Sequence, residues 1–252
     1  MHETILWPFL NGTVHAKTLL MTWVVMFLLI IFVMAGTRKL TSGVPGKFQN
    51  FLEWIVDFIK GLISDNMDYK KGAALLGYLV TLIMFIFFSN MIGLVPNLLL
   101  PLFQHIEFAH LNELFYEHGH TLQVALMSPT ADVNTTLALA TLTIILVFVM
   151  GIKDKGLRYF HHFIEPSPVF LPIHIIDYIA KPMTLAFRLF GNIYAGEVLI
   201  SVILMMPGLL ALGGILPMAV WLAFSIFIGA IQSFVFTVLT IAYIAQAVAS
   251  DH

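Results

Sequence analysis

From Val198 to Ser250 the sequence contains no Asp, Glu, Lys, Arg or His, and this run limits what the chain can be. As one helix rising about 1.5 Å per residue, it would be far longer than the ~30 Å hydrocarbon core of a bilayer. It must turn back on itself, and Pro207-Gly208, Gly213-Gly214 and Pro217 supply the breaks. Long helices are therefore expected over 168–206 and 217–249. Both exceed a perpendicular crossing, which implies tilt or extension past the membrane. The composition agrees: 60% of the 252 residues are hydrophobic and 10% charged, against about 25% charged in soluble domains. A soluble enzyme and a disordered protein are excluded. The absence of cysteine also excludes a disulfide scaffold, a thiol nucleophile and Cys-based zinc sites. A net charge of −2 leaves no basic surface for nucleic acid.

Three more apolar runs have the length of a crossing, at 18–36, 73–95 and 135–152. The expectation is an all-α polytopic membrane protein, one membrane domain over 1–252 with five crossings. A further helix is expected over 46–64. There Phe48, Phe51, Leu52, Ile55, Phe58, Ile59 and Leu62 recur at three- and four-residue spacing among Gln49, Asn50, Glu53, Asp57 and Lys60. Such a helix lies in the membrane interface or packs on other protein, and periodicity alone does not separate the two. Orientation follows from the basic residues. Arg38, Lys39, Lys47, Lys60, Lys70 and Lys71 fall between spans one and two, and Lys153, Lys155 and Arg158 between spans three and four. The stretch from Pro96 to Val133 has no Lys or Arg. By the positive-inside rule the basic loops are cytoplasmic, the N-terminus outside and the C-terminus inside. The first span reads as a retained anchor rather than a cleaved signal peptide.

Nine of the twelve Lys and Arg thus mark one side, and Lys17 flanks the first span. Lys181 and Arg188 remain, inside the fourth crossing. A charge at the bilayer centre costs at least about 2.5–3.5 kcal/mol and marks a functional site by default. On a helix, His174, Asp177, Lys181, Arg188 and Asn192 lie within about 40° of one direction. Asp177 and Lys181 have the spacing of a structural i,i+4 ion pair. Arg188 has no such neighbour, since positions 184, 185, 191 and 192 are Thr, Leu, Gly and Asn. Arginine keeps its proton in proteins. Arg188 therefore needs an anion from elsewhere, such as another chain, unless it is a buried helix–helix contact. Glu197, an isolated acid in an apolar stretch, suits proton exchange or a neutral hydrogen bond.

In the last crossing Ser225, Gln232, Tyr243 and Gln246 share one stripe within about 40°. Gln232 is the natural acceptor for Arg188, or an ordinary interhelical bond. Asp132 and Asn134 follow Ser128-Pro129 at the outer end of span three, where Asp132 either caps the helix or marks the mouth of an aqueous path. The loop holding His105, Glu107, His110, Glu113, Glu117, His118 and His120 lacks zinc spacing and reads as a solvated surface, as do His161, His162 and Glu165. No cofactor and no metal are assigned. No HExxH, GxSxG, Walker lysine or GxGxxG pattern occurs.

The run Lys181-Pro182-Met183-Thr184-Leu185-Ala186-Phe187-Arg188-Leu189-Phe190-Gly191-Asn192-Ile193-Tyr194-Ala195-Gly196-Glu197 resembles the signature of the F-type ATP synthase subunit a family, bacterial type. The segment from Ala230 to Thr240 resembles that family's last helix, and Ser128 to Asn134 its third-span entry. The resemblance covers nearly the whole chain in order and spacing. It implies a stator subunit that does no ATP chemistry itself. Its last two crossings would form a tilted hairpin against a rotating c-subunit ring, with b-type stalk subunits and a soluble catalytic head in the same complex. It also implies two offset half-channels in a bacterial plasma membrane. Arg188 would stand between them and meet the c-subunit carboxylate. Glu197, Gln232 and Asn192 match positions of the ion path, and Asp132, His174 and Ser225 are further carry-overs. The ion would be H⁺, or Na⁺. The alternative is a self-contained channel or secondary transporter, which would carry inverted repeats or paired charges within one chain. Neither is visible in the sequence.

Overall fold

The computed structural model describes residues 6–9, 12–38, 40–94, 128–156, 158–159, 169, 171–204 and 215–249. The His- and Glu-bearing loop at 104–120, the His161-His162 pair, Glu165 and the expected breaks at 207–208 and 213–214 lie outside them. The described chain opens with a short antiparallel hairpin, β1 (Leu6–Phe9) and β2 (Gly12–His15), in the register Leu6 to His15. This hairpin adds to the all-helical expectation. Its four-residue strands are too short for an alternation to be read from sequence.

Helices follow: α1 (Ala16–Thr37), α2 (Lys47–Asn66), the single turn α3 (Tyr69–Gly72), and, after a 3-10 turn at Ala73–Leu75, α4 (Leu76–Ile92). A 3-10 turn at Pro129–Ala131 leads into α5 (Val133–Lys155), and α6 (Leu171–Leu204) and α7 (Ile215–Val248) have 34 residues each. Among the described residues four segments are long and apolar enough to cross a membrane: Thr18–Thr37, Tyr69–Ile92, Val133–Lys155 and Leu216–Val248. At about 1.5 Å per residue α6 is about 50 Å long, ample for a crossing, but it carries Asp177, Lys181, Arg188 and Glu197. Trp23, Phe27 and Met34 of α1 are each about two-thirds exposed, an outward apolar surface that suits lipid rather than water.

Local signals explain the ends. Asp132 accepts from Asn134 N at 2.8 Å and caps α5. Pro217 sits in the first turn of α7, where its missing N–H has no intrahelical partner to lose. Pro182 lies inside α6, where it removes one rung of the helix ladder.

The chain divides into two compact units, and the long helices contribute to both. One comprises residues 1–30, 85–135 and 189–232, the other 31–84, 136–188 and 233–252. The second unit has an apolar core of Ile59, Ile63, Leu75, Leu79, Val147, Tyr159, Ile241, Ile244, Ala247 and Val248. Thus α2 does pack on protein: Gln49, Ile55, Ile59 and Ile63 form its buried face. Gln49 is fixed there by a reciprocal pair of bonds with the Thr41 main chain, at 3.1 and 3.0 Å. Another side of α2 exposes Phe51, Trp54 and Phe58, stacked in a row at 6.3 and 5.9 Å, so an outward aromatic edge remains for a bilayer interface. Lys71 Nζ donates to Asp154 Oδ2 at 2.7 Å and to the Val248 carbonyl at 3.1 Å. A cation at the carbonyl end of α7 is electrostatically favourable.

Candidate functional site

The first unit holds a cavity of about 190 Å³, with room for several waters. Asn90 and Gly93 from the end of α4, Asn192 and Glu197 from α6, and Trp221 and Ser225 from α7 are among its walls. Most of the lining is apolar, so the few polar groups set its chemistry. Glu197 Oε1 accepts from the main-chain N–H of Ser128 at 2.9 Å. Trp221 Nε1 donates to the Gly196 carbonyl at 3.2 Å.

Ser128 is held by a buried polar chain. Its hydroxyl lies 2.6 Å from the Ser89 carbonyl and 2.6 Å from Thr130 Oγ1, and Thr130 Oγ1 lies 2.7 Å from Asn90 Oδ1. The two hydroxyls carry two protons, so two of these three contacts are hydrogen bonds at any moment. Asn90 Nδ2 donates to the Gly229 carbonyl at 3.0 Å. The chain of bonds therefore ties α4, the turn before α5, and α7 around the carboxylate.

Asn192 Nδ2 donates to Gln232 Oε1 at 2.8 Å. The amide oxygen expected to receive Arg188 thus takes a bond from the neighbouring amide. Gln232 Nε2 and Ser225 Oγ are buried and make no hydrogen bond among the described residues. A buried donor without a partner costs about 1–3 kcal/mol, so both are groups poised for an incoming acceptor or water.

The remaining sequence-derived residues lie elsewhere. Arg188 is exposed on α6. Among the described residues no carboxylate pairs with it. Asp177 and Lys181 form their ion pair at 3.3 Å, and Lys181 Nζ also sits 4.8 and 5.5 Å from the ring centres of Tyr178 and Tyr243. That aromatic cage favours the cation. His174 is half-buried on α6 and is not a wall of the cavity. Asp132 is also outside the lining. Besides capping α5, its Oδ2 accepts from Thr18 Oγ1 at 2.8 Å, which ties α5 to α1.

Sequence reading passed over Ser89, Asn90, Gly93, Ser128 and Thr130 as site groups. A signal was present for two of them. Ser89-Asn90 interrupts the apolar run Tyr78–Ile92, and a polar residue inside a span is as informative as a charge.

The fold and the site define a class: a polytopic helical membrane protein with a small, mostly apolar cavity that holds one acid, and an exposed arginine on α6. The model of the family described as ATP synthase A chain matches residues 19–245. The chain is 40% identical to an ATP synthase subunit a of Bacillus subtilis over 97% of this chain and 96% of that protein. It is 39% identical to that of Priestia megaterium over 100% and 99%, and 38% identical to that of Desulforamulus reducens over 98% and 85%. The chain belongs to the ATP synthase A chain family. It is a membrane component of that multi-subunit machine and not the part that carries ATP chemistry.

Proposed function

We propose that this chain is the stator of the ion turbine in a bacterial plasma-membrane ATP synthase, with Arg188 as the fixed charge that couples ion flow to rotation of a c-subunit ring. The observation that carries this reading is the state of Arg188: exposed on a helix of a membrane protein, with no carboxylate partner among the described residues. Guanidinium keeps its charge, and an unpaired charge facing lipid is costly. A carboxylate on a moving partner would remove that cost each time it passes. A fixed cation also favours the ionised form of a carboxylate brought near it, whereas lipid favours the protonated form. A ring carboxylate would therefore lose its proton at Arg188 and regain one before returning to lipid.

In this reading the cavity at Glu197 belongs to one of two offset half-channels, reached from opposite sides of the membrane. Glu197 exchanges protons there, and Asn192, Gln232 and Ser225 line the way. His174 and Asp132 take no part in the cavity, so any role they have belongs to the approaches. The Asp177–Lys181 pair is structural. The α6–α7 hairpin faces the ring, b-type stalk subunits hold the stator, and the soluble head makes ATP. The N-terminus lies outside and the C-terminus in the cytoplasm, with α6 as the fourth of five crossings. One elementary charge crossing 100 mV releases about 2.3 kcal/mol, so several ions pass for each ATP.

The test is the purified complex in liposomes. Arg188→Ala should abolish ATP-driven pumping while ring, stalk and head still co-purify. Full proton-coupled pumping in that variant would sink the proposal. Repeating the assay with and without sodium identifies the ion.

A further inference from the structure

Gly93 stands where α4 has just ended, at the wall of the cavity. A Cβ placed on it would lie 2.8 Å from Glu197 Oε1, 2.7 Å from Ser128 Cβ and 3.0 Å from Ser128 N. These are the two ends of the Glu197–Ser128 hydrogen bond. The donor has no freedom to retreat, because Ser128 is 3% exposed and is bonded to Ser89 and Thr130. Asn90 extends that support to the Gly229 carbonyl. The carboxylate is the movable partner.

We propose that Gly93 is a positioning residue for Glu197: by lacking a side chain it leaves the space through which the carboxylate reaches the Ser128 N–H. A methyl group at 93 would displace the carboxylate from its donor and leave it mobile in the cavity. Gly93 has no constrained backbone angle, so the requirement is for space, not for a glycine conformation. The inference rests on the reading of Glu197 as a proton-exchanging group.

The experiment uses the assembled complex in liposomes, with ATP-driven proton pumping normalised to recovered complex. An infrared difference spectrum on proton uptake is the second readout, with the Glu197 carboxyl band identified as the one that Glu197→Gln removes. Gly93→Ala is expected to lower pumping at least about tenfold, since a misplacement near 1 Å can cost about a hundredfold, and to shift that band. Gly77→Ala, whose Cβ would meet nothing within 4 Å, should change neither. Ser128→Pro removes the N–H donor at a residue with φ −58° and ψ 133°, angles that proline accepts. It should reproduce the band shift of Gly93→Ala. Ser128→Ala keeps the N–H and should cause a smaller loss than Ser128→Pro.

An unshifted band in Gly93→Ala, or equal effects of Ser128→Ala and Ser128→Pro, would overturn the inference. So would failure of both Gly93→Ala and Ser128→Pro to assemble, which would make the two residues merely structural. If Glu197→Gln itself pumps normally, the reading of Glu197 fails instead, and the band shift in Gly93→Ala still decides the geometry.

Discussion

In the second unit Thr143, Thr237 and Thr240 bury their hydroxyls against carbonyls one turn back on their own helices, those of Leu139, Ser233 and Phe236. In the first unit the buried polar groups bond between elements: Asn90 to Gly229, Ser128 to Ser89, Glu197 to Ser128, and Asn192 to Gln232. Tyr78 to Thr143 and Tyr159 to Tyr178, at 3.2 and 2.8 Å, Gln49 to the Thr41 main chain, and Lys71 to Asp154 and Val248 are exceptions in the second unit. The physical consequence is a division of labour. A hydroxyl satisfied by its own helix leaves the packing between helices to apolar surface, as in the core around Ile59 and Ile241. Polar groups that hold one another across elements keep a wettable cavity in a defined shape, at the risk that losing one member strands its partners.

This contrast can be broken by experiment. The largest expected effect is on ion flux. Glu197→Gln in the first unit should slow pumping about a hundredfold, the scale of a lost proton-transferring group, with little change in complex stability. Ile244→Ala in the second unit should do the reverse. It should cost about 2–5 kcal/mol of stability for a truncated core side chain, read as a lower thermal midpoint, and leave pumping per recovered complex intact. If the two variants exchanged phenotypes, the contrast would be lost.

A finer pair of substitutions compares the two kinds of buried polar group. Asn90→Leu removes two bonds between elements, those with the Gly229 carbonyl and with Thr130 Oγ1, at about 0.5–1.5 kcal/mol each. Thr237→Val removes a bond within one helix and should cost about 0.5 kcal/mol or less. Equal shifts in thermal midpoint would contradict the distinction.

The smallest effect concerns pH. Tyr159 follows α5 and is buried against Gly151 and Phe148. Burial, the Tyr178 hydroxyl bond and the neighbouring Tyr178 charge push its phenol well above the ordinary tyrosine range. The unfolded chain then ionises first, near pH 10, while the folded chain keeps its proton. Stability contributed by this group is complete below about pH 10 and falls above it, by at most about 1.4 kcal/mol per pH unit. Tyr159→Phe should flatten that part of the thermal-midpoint profile. An unchanged slope would remove Tyr159 as its source.

Several features of the fold were legible along the chain. The runs at 18–36, 73–95 and 135–152 lie within or largely within α1, the Tyr69–Ile92 segment and α5, because hydropathy is a sum over neighbours in sequence. The periodicity at 46–64 found α2 but not which apolar side would be covered. Tertiary contacts decided that Ile55, Ile59 and Ile63 are buried and Phe51, Trp54 and Phe58 are not. The Asp177–Lys181 pair was readable because both partners share one helix, four residues apart.

The sequence by itself determined that the chain enters a membrane, that its basic residues are sorted to particular loops, and that Arg188 lacks a partner on its own helix. Those are properties of composition and helical period. Only the tertiary structure decided that Glu197 is held by a main-chain N–H, that Gln232 receives Asn192, and that Asp132 is engaged by Thr18. These partners are 69, 40 and 114 residues apart. No local rule connects such distances; hydrogen-bond satisfaction inside a packed, low-dielectric interior selects them.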